Sequence, residues 1–150
     1  MLPQEEPDTP LHALLDRLGI FPPLFWGYIG LLLFMIGDGV EAGYLSKYLV
    51  DEQIASEKLV AVIFTVYGIT VAISAWLSGA LSDLWGPRQV MGLGLLIWVV
   101  FEVGFLLLGV APGKYGPLMV MYALRGFGYP LFAYGFLVWI SVAAPRHRLR

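Results

Sequence analysis

Four long apolar runs dominate the sequence and restrict what it can fold into. A helix that crosses about 30 Å of hydrocarbon at about 1.5 Å per residue needs roughly 20 mostly apolar residues. Four segments of the 150-residue chain reach this length, and we predict transmembrane helices over residues 24–48, 58–82, 88–110 and 117–144. The connections between them are short, so consecutive helices are expected to run antiparallel. The predicted fold class is an all-α membrane protein.

The composition supports a lipid environment and excludes several functions. Hydrophobic residues make up 59% of the chain and charged residues 13%, whereas soluble domains carry about 25% charged residues. The net charge of -2 provides no basic surface for nucleic acid. The sequence has no cysteine and no HExxH or GxSxG motif, so we expect neither an enzyme nor a metal or cofactor site.

The two ends of the chain are predicted to lie outside the bilayer. Residues 1–23 carry Glu5, Glu6 and Asp8 where a signal peptide would carry Lys or Arg, so no cleaved signal is expected. Leucines at helical spacing between Leu11 and Ile20 indicate either an amphipathic helix on the membrane or a solvated tail. Residues 145–150 are predicted to begin a cytoplasmic loop.

The distribution of cations predicts the orientation. Lys and Arg are retained on the cytoplasmic side of a membrane more than acidic residues are. One side of the predicted membrane has five cations, which are Arg17, Arg88, Arg146, Arg148 and Arg150. The other side has three, Lys47, Lys58 and Lys114, and acidic residues nearby offset their charge. This bias predicts a cytoplasmic N-terminus in a multi-pass protein of the cytoplasmic membrane.

Four charged residues lie in the interior of the apolar spans, away from the span ends, where an ionised group costs about 2.5 to 3.5 kcal/mol on insertion scales. They are Asp38 and Glu41 in the first span, Glu102 in the third and Arg125 in the fourth. Glu41 and Arg125 fall at the same depth, and Asp38 lies one helical turn from Glu41 on the same face. We therefore predict a polar layer in which Arg125 pairs with Glu41 or Asp38, with Tyr67 nearby.

These charges also have a purely structural interpretation. Buried ion pairs can hold helices together without any transport role. Glu102 is the only ionisable residue in the interior of its span and could be a protonated, structural carboxyl group. Glycines within the spans are expected to let helix backbones approach closely: Gly68, Gly79, Gly92, Gly94, Gly104, Gly109, Gly126, Gly128 and Gly135.

The turn between the second and third spans carries a recognisable motif. Residues 79–88 read GALSDLWGPR, which resembles the GxLaDrxGrk signature of the major facilitator superfamily. Leu84 and Pro87 stand where the family has basic residues. The resemblance implies that this loop is a gate, and the matching positions are Gly79, Leu81, Asp83, Gly86 and Arg88. We expect Gly79 to allow close helix contact, Asp83 to cap a helix and Gly86 to make the turn.

A second set of residues resembles the polyol permease branch of the family, which moves ribitol and arabinitol. It comprises residues 37–46 (GDGVEAGYLS) and 125–132 (RGFGYPLF). The resemblance implies that the four spans correspond to helices 1–4 of a twelve-helix fold, the remaining helices being partners of this chain. It further implies alternating-access transport of a small polyhydroxylated solute, coupled to protons.

The candidate residues for this function are few. Asp38 or Glu41 would carry the proton, Arg125 would pair with them, and aromatic side chains would contact the solute: Tyr67, Tyr129, Tyr134 and Trp139. Two other functions remain open, a four-helix exporter that works as a dimer and a membrane scaffold without transport activity.

Overall fold

The computed structural model describes Pro10, Leu14, Leu15, Ile20 and residues 22–143. Within this described part of the chain, four helices are long and apolar enough to cross a membrane, which confirms the predicted fold class. They are α1 (Phe25–Asp51), α2 (Glu57–Trp85), α3 (Pro87–Gly104, continued by a π-helical turn over Phe105–Val110) and α4 (Tyr115–Ala143). A 3₁₀ turn, Pro22–Leu24, precedes α1. The predicted amphipathic segment 11–20 and the loop 145–150 lie largely or wholly outside the described residues.

Helix α4 forms the centre of the bundle and packs closely against α3 and α2. A Cβ atom on Gly94 would lie 2.4 Å from the backbone nitrogen of Phe132, and one on Gly128 would lie 2.6 Å from the nitrogen of Trp98. No residue larger than glycine fits there without a shift of the helices. The glycines of this interface therefore set the short distance between α3 and α4, as the sequence predicted.

Helices α2 and α4 are joined by hydroxyl groups that recur every four residues on α2. Thr70 Oγ1 lies 2.7 Å from the carbonyl oxygen of Ala123, and Ser74 Oγ donates to the carbonyl oxygen of Phe127 at 2.6 Å. Ser78 Oγ donates to the carbonyl oxygen of Pro130 at 3.3 Å. The spacing puts these side chains on one face of α2, so each turn contributes one hydrogen bond between the helices.

Helix α1 makes much less contact with the rest of the bundle. Only Leu45 and Leu49 of its residues are buried, and its backbone contacts with α2, its neighbour in sequence, are sparse. Side chains attach it to α3 and α4 instead: the ring of Phe34 lies 5.0 Å from that of Trp98, and the ring of Tyr28 lies 5.3 Å from that of Phe136. Chain order therefore does not determine the main contacts, since α2 packs against α4 more than against α1.

Not every glycine serves a close contact. A Cβ atom on Gly68, Gly79 or Gly92 would have no heavy atom within 4 Å in the part of the chain that the structure describes. The expectation of close helix contact at Gly79 is wrong for these four helices, because Gly79 lies on a face of α2 that none of them covers.

Candidate functional site

The charges of the spans meet at Arg125 in the middle of α4. Arg125 Nη1 donates to both carboxylate oxygens of Glu41, at 2.6 and 2.5 Å, and also to Oε2 of Glu102. Its Nη2 lies 3.3 Å from Oδ1 of Asp38. One guanidinium group therefore contacts three carboxylates from two other helices. The sequence predicted Glu41 or Asp38 as the partner of Arg125, and the structure adds Glu102.

The environment of the cluster differs between the cation and its partners. The Arg125 side chain is 1% exposed, whereas those of Asp38, Glu41 and Glu102 are 21%, 23% and 18% exposed. The guanidinium group is thus enclosed, and the carboxylates form its accessible edge. The cluster carries one positive charge against three acidic groups, so any proton that binds there reduces an excess of negative charge.

Three aromatic rings also lie close to the guanidinium group. Its Cζ lies 4.5 Å from the ring centroid of Tyr122, 5.3 Å from that of Trp98 and 5.6 Å from that of Tyr67. These distances are within the range of cation–π attraction, which is strongest where water is excluded. Arg125 Nε has no hydrogen-bond partner among the described residues. The rings therefore hold the cation in place together with the ion pairs.

Backbone features of α3 and α4 position these side chains. Gly126, next to Arg125, lies against α2 so closely that a Cβ atom there would be 2.2 Å from Thr70 Oγ1. Glu102 lies in the last α-helical turn of α3, just before the π-helical turn Phe105–Val110. Such π turns are rare and occur frequently at functional sites. A groove of about 200 Å³ is lined by both Glu41 and Glu102, with the remaining lining residues being Tyr44, Leu45, Tyr48, Phe105, Leu106 and Val110.

The other predicted site residues are only partly drawn into this cluster. Tyr67 faces the guanidinium group, whereas the ring of Tyr129 stacks on Phe34 at 5.8 Å. Tyr134 is 41% exposed, and the Trp139 ring lies beneath Arg88 at 4.5 Å from its Cζ. Sequence reasoning gave no role to Trp98 or Tyr122, and it left Glu102 outside the predicted pair although Glu102 lies at the depth of Arg125.

The motif between α2 and α3 forms a very tight turn. Gly86 alone separates the two helices, with φ of 86°, a conformation that favours glycine. Pro87 then occupies the first turn of α3, where its missing N–H is not needed. Asp83 is exposed inside the last turn of α2, and no side chain caps the start of α3. The expected capping role of Asp83 is therefore wrong, because α2 continues two residues beyond it.

The fold and the cluster define a multi-pass membrane protein with a buried, charged site between its helices. Residues 27–150 match the family model described as Major Facilitator Superfamily. The chain belongs to the major facilitator superfamily, as the motif of residues 79–88 indicated, and this is a family of transporters and not of enzymes. No solved structure shows significant similarity to it.

Curated relatives resemble the chain over most of its length. It is 46% identical over 142 residues to an α-ketoglutarate permease of Bacillus subtilis. It is 40% identical over 123 residues to a D-arabinitol transporter and 39% identical over 117 residues to a ribitol transporter, both of Klebsiella pneumoniae. These matches cover 93%, 82% and 78% of this chain, but 32%, 29% and 27% of the relatives. The chain thus spans about a third of their length.

Proposed function

We propose that the four helices are the first four of a longer secondary active transporter of the cytoplasmic membrane, with a cytoplasmic N-terminus. Such transporters bind solute near the middle of the bilayer and expose the site alternately to either side. The chain spans about a third of its curated relatives, which supports a role as one part of a larger bundle. The sparse packing of α1 leaves room for further helices against it.

The observation that carries the proposal is the contact of Arg125 with carboxylates from α1 and α3. Ionisable residues within membrane helices are costly and usually mark ion pathways or proton relays. A carboxylate at the accessible edge of this cluster can bind a proton, and the loss of its charge weakens its hold on Arg125. Asp38 or Glu41 is the proposed proton carrier, because both lie on α1, the helix with the fewest other contacts.

The proposed solute is a small polyhydroxylated compound, a polyol or sugar. The names of two relatives, a D-arabinitol and a ribitol transporter, support this class. The charge of the site supports it as well, since three acidic groups against one guanidinium group repel anions. Hydroxyl groups of the solute would hydrogen-bond to Asp38 and to the phenols of Tyr67 and Tyr129.

A dicarboxylate is the second candidate solute. The α-ketoglutarate permease that is 46% identical to this chain favours it. A dianion would bind Arg125 only after protons had displaced the carboxylates that now contact the guanidinium group. Dicarboxylate uptake would therefore need more bound protons than polyol uptake.

The tight turn between α2 and α3 is proposed to act in gating through Gly79, Asp83, Gly86 and Arg88. Arg88 stacks on Trp139 near the end of α4, so the turn is connected to the helix that carries Arg125. A movement of α4 would be transmitted to the turn by this contact. The exposed Asp83 and the uncovered Gly79 remain available to the other helices of a complete transporter.

Uptake by the complete transporter in proteoliposomes tests this function. Radiolabelled ribitol, D-arabinitol and α-ketoglutarate are compared with and without an inward proton gradient. We expect polyol accumulation that requires the gradient and stops with an uncoupler. If only α-ketoglutarate accumulates, the solute is a dicarboxylate and not a polyol. Uptake that continues in the presence of the uncoupler would contradict proton coupling.

The two other functions predict different results for the 150-residue chain by itself. A four-helix exporter would crosslink as a stable homodimer and expel solute from vesicles. A membrane scaffold would show no stabilisation by any solute. Solute uptake that requires further helices would exclude both.

A further inference from the structure

We propose that Glu102 is the reserve partner of Arg125, which keeps the guanidinium group paired on α3 when Glu41 takes up a proton. This inference rests on the proposed proton coupling and assigns a positioning role to a residue that the sequence left outside the site. Glu41 and Glu102 accept hydrogen bonds from the same nitrogen, Nη1 of Arg125. Glu41 contacts that nitrogen through both carboxylate oxygens and Glu102 through one, so Glu102 can keep Nη1 in an ion pair when Glu41 is neutral.

The two partners are carried by helices that differ in how firmly they are held. Glu102 is on α3, whose backbone contacts that of α4 closely at Gly94 and Gly128. Glu41 is on α1, which is buried at only two positions and attached chiefly by side chains. A movement of α1 relative to α4 would thus separate Glu41 from Arg125 while Glu102 stays in contact. The structure couples one movable and one fixed carboxylate to the same cation.

The buried cation needs such a partner throughout a transport cycle. Removing one member of a buried ion pair leaves an uncompensated charge, which is strongly destabilising. A proton on Glu41 removes the partner with the most contacts to Arg125, and Asp38 is also on α1. The titratable and charged groups that face Arg125 are Asp38 and Glu41 on α1, Tyr67 on α2, Glu102 on α3 and Tyr122 on α4. Among these described groups, Glu102 is the only carboxylate not on α1.

A double-mutant cycle on the 150-residue chain tests the redundancy of the two partners. Unfolding is measured by SDS titration in detergent micelles for E41Q, E102Q and the double variant. Each single variant should remain folded, because the other carboxylate still forms an ion pair with Nη1. The double variant should raise the unfolding equilibrium constant at least about tenfold beyond the product of the single effects. Failure of the double variant alone to fold is the extreme of the same result.

The matched control pairs E102Q with D38N, since Asp38 contacts Nη2 and not the shared nitrogen. In both double variants, the unfolding equilibrium constant is compared with the product of the two single effects. The increase beyond that product should be smaller for D38N/E102Q than for E41Q/E102Q. Three results would overturn the proposal. They are additive effects in E41Q/E102Q, an equally large increase beyond additivity in D38N/E102Q, and failure of E102Q alone to fold.

Distances between spin labels distinguish the proposed role of Glu102 from a merely structural one. The chain has no native cysteine, so cysteines at Ala42, Leu107 and Leu137, exposed positions on α1, α3 and α4, can be labelled in pairs. On acidification, the 42–137 distance should change while the 107–137 distance stays constant. In E102Q the distribution of the 107–137 distance should broaden on acidification as well. E102D, which keeps the carboxylate, should restore the narrow distribution. An acid response that is the same with and without E102Q would overturn the proposal. Proton-independent uptake by the complete transporter would instead contradict the coupling, whatever the cycle shows.

Discussion

Glu41 and Glu102 lie on different helices and accept hydrogen bonds from one nitrogen atom, Nη1 of Arg125. The two acids are 61 positions apart in the sequence, and the fold brings them to the same cation. This arrangement makes the charge balance of the site depend on the separation of α1 from α3 and α4. It also makes Arg125 the residue on which both the stability of the bundle and the proposed coupling depend.

Replacement of Arg125 should be the most damaging single change in the chain. R125Q leaves three acidic groups without their cation, and breaking a buried ion pair costs about 3 to 5 kcal/mol. R125K should retain part of the stability, because an ammonium group is a point charge that cannot reproduce the forked contacts. SDS unfolding should rank wild type above R125K and R125K above R125Q. Equal stability of R125Q and wild type would contradict the importance of the cluster.

Charge exchange should restore part of what the single reversals lose. E41R and R125E each place like charges together, whereas the double variant E41R/R125E reverses the pair between α1 and α4. Transport by the complete transporter should be lost in both singles and partly recovered in the double variant. Absence of recovery with Glu41, and also with Asp38 as the exchanged acid, would contradict the pairing as a functional unit.

The glycines of α3 should separate into sensitive and tolerant positions. Overpacking of a tight core costs about 1 to 3 kcal/mol, and a Cβ atom on Gly94 would strike the backbone of Phe132. G94A should therefore lower the free energy of unfolding. Gly92, two residues away, has open space around it, so G92A is the matched control and should be neutral or slightly stabilising. The same loss in both variants would contradict the packing described for α3 and α4.

The hydroxyl groups of α2 should contribute modestly. S74A removes the hydrogen bond to the carbonyl oxygen of Phe127, and interhelical hydrogen bonds in membrane proteins average about 0.6 kcal/mol. Thr65 bonds to the carbonyl oxygen of Ala61 within its own helix, so T65V should change the unfolding free energy less. Thermal unfolding of both variants by circular dichroism provides the comparison, and a larger loss in T65V would count against the α2–α4 contact.

The stacking of Arg88 on Trp139 should be detectable as an interaction energy. Cation–π pairs are worth about 0.5 to 1 kcal/mol at exposed sites. A double-mutant cycle with R88Q and W139L measures this energy, and W139F should retain part of it because the aromatic face remains. If R88Q and W139L are additive, the two residues do not interact.

Hydropathy and spacing predicted the four helices well because membrane helices satisfy their backbone internally and must reach a fixed length. The pairing of Arg125 with α1 was also accessible, since charges in an apolar span need partners and depth can be counted. The contact of Glu102 with Arg125 could not be predicted, because it depends on how α3 is rotated about its axis, and a single sequence does not specify that. The failure at Asp83 arose from the helix boundary, because α2 continues through a segment that reads as a turn. The sequence could not show that Gly79 and Gly92 lie on uncovered helix faces. A glycine in an apolar span looks the same in the sequence whether or not another helix packs against it.

The central claim is that protons move through the carboxylates that hold Arg125, and the E41Q variant of the complete transporter tests it most directly. Proton uptake and ribitol accumulation are recorded together in proteoliposomes, alongside solute counterflow that needs no gradient. We expect E41Q to lose gradient-driven accumulation and the associated proton uptake while counterflow continues. Accumulation and proton uptake at the wild-type level in both E41Q and D38N would contradict the claim.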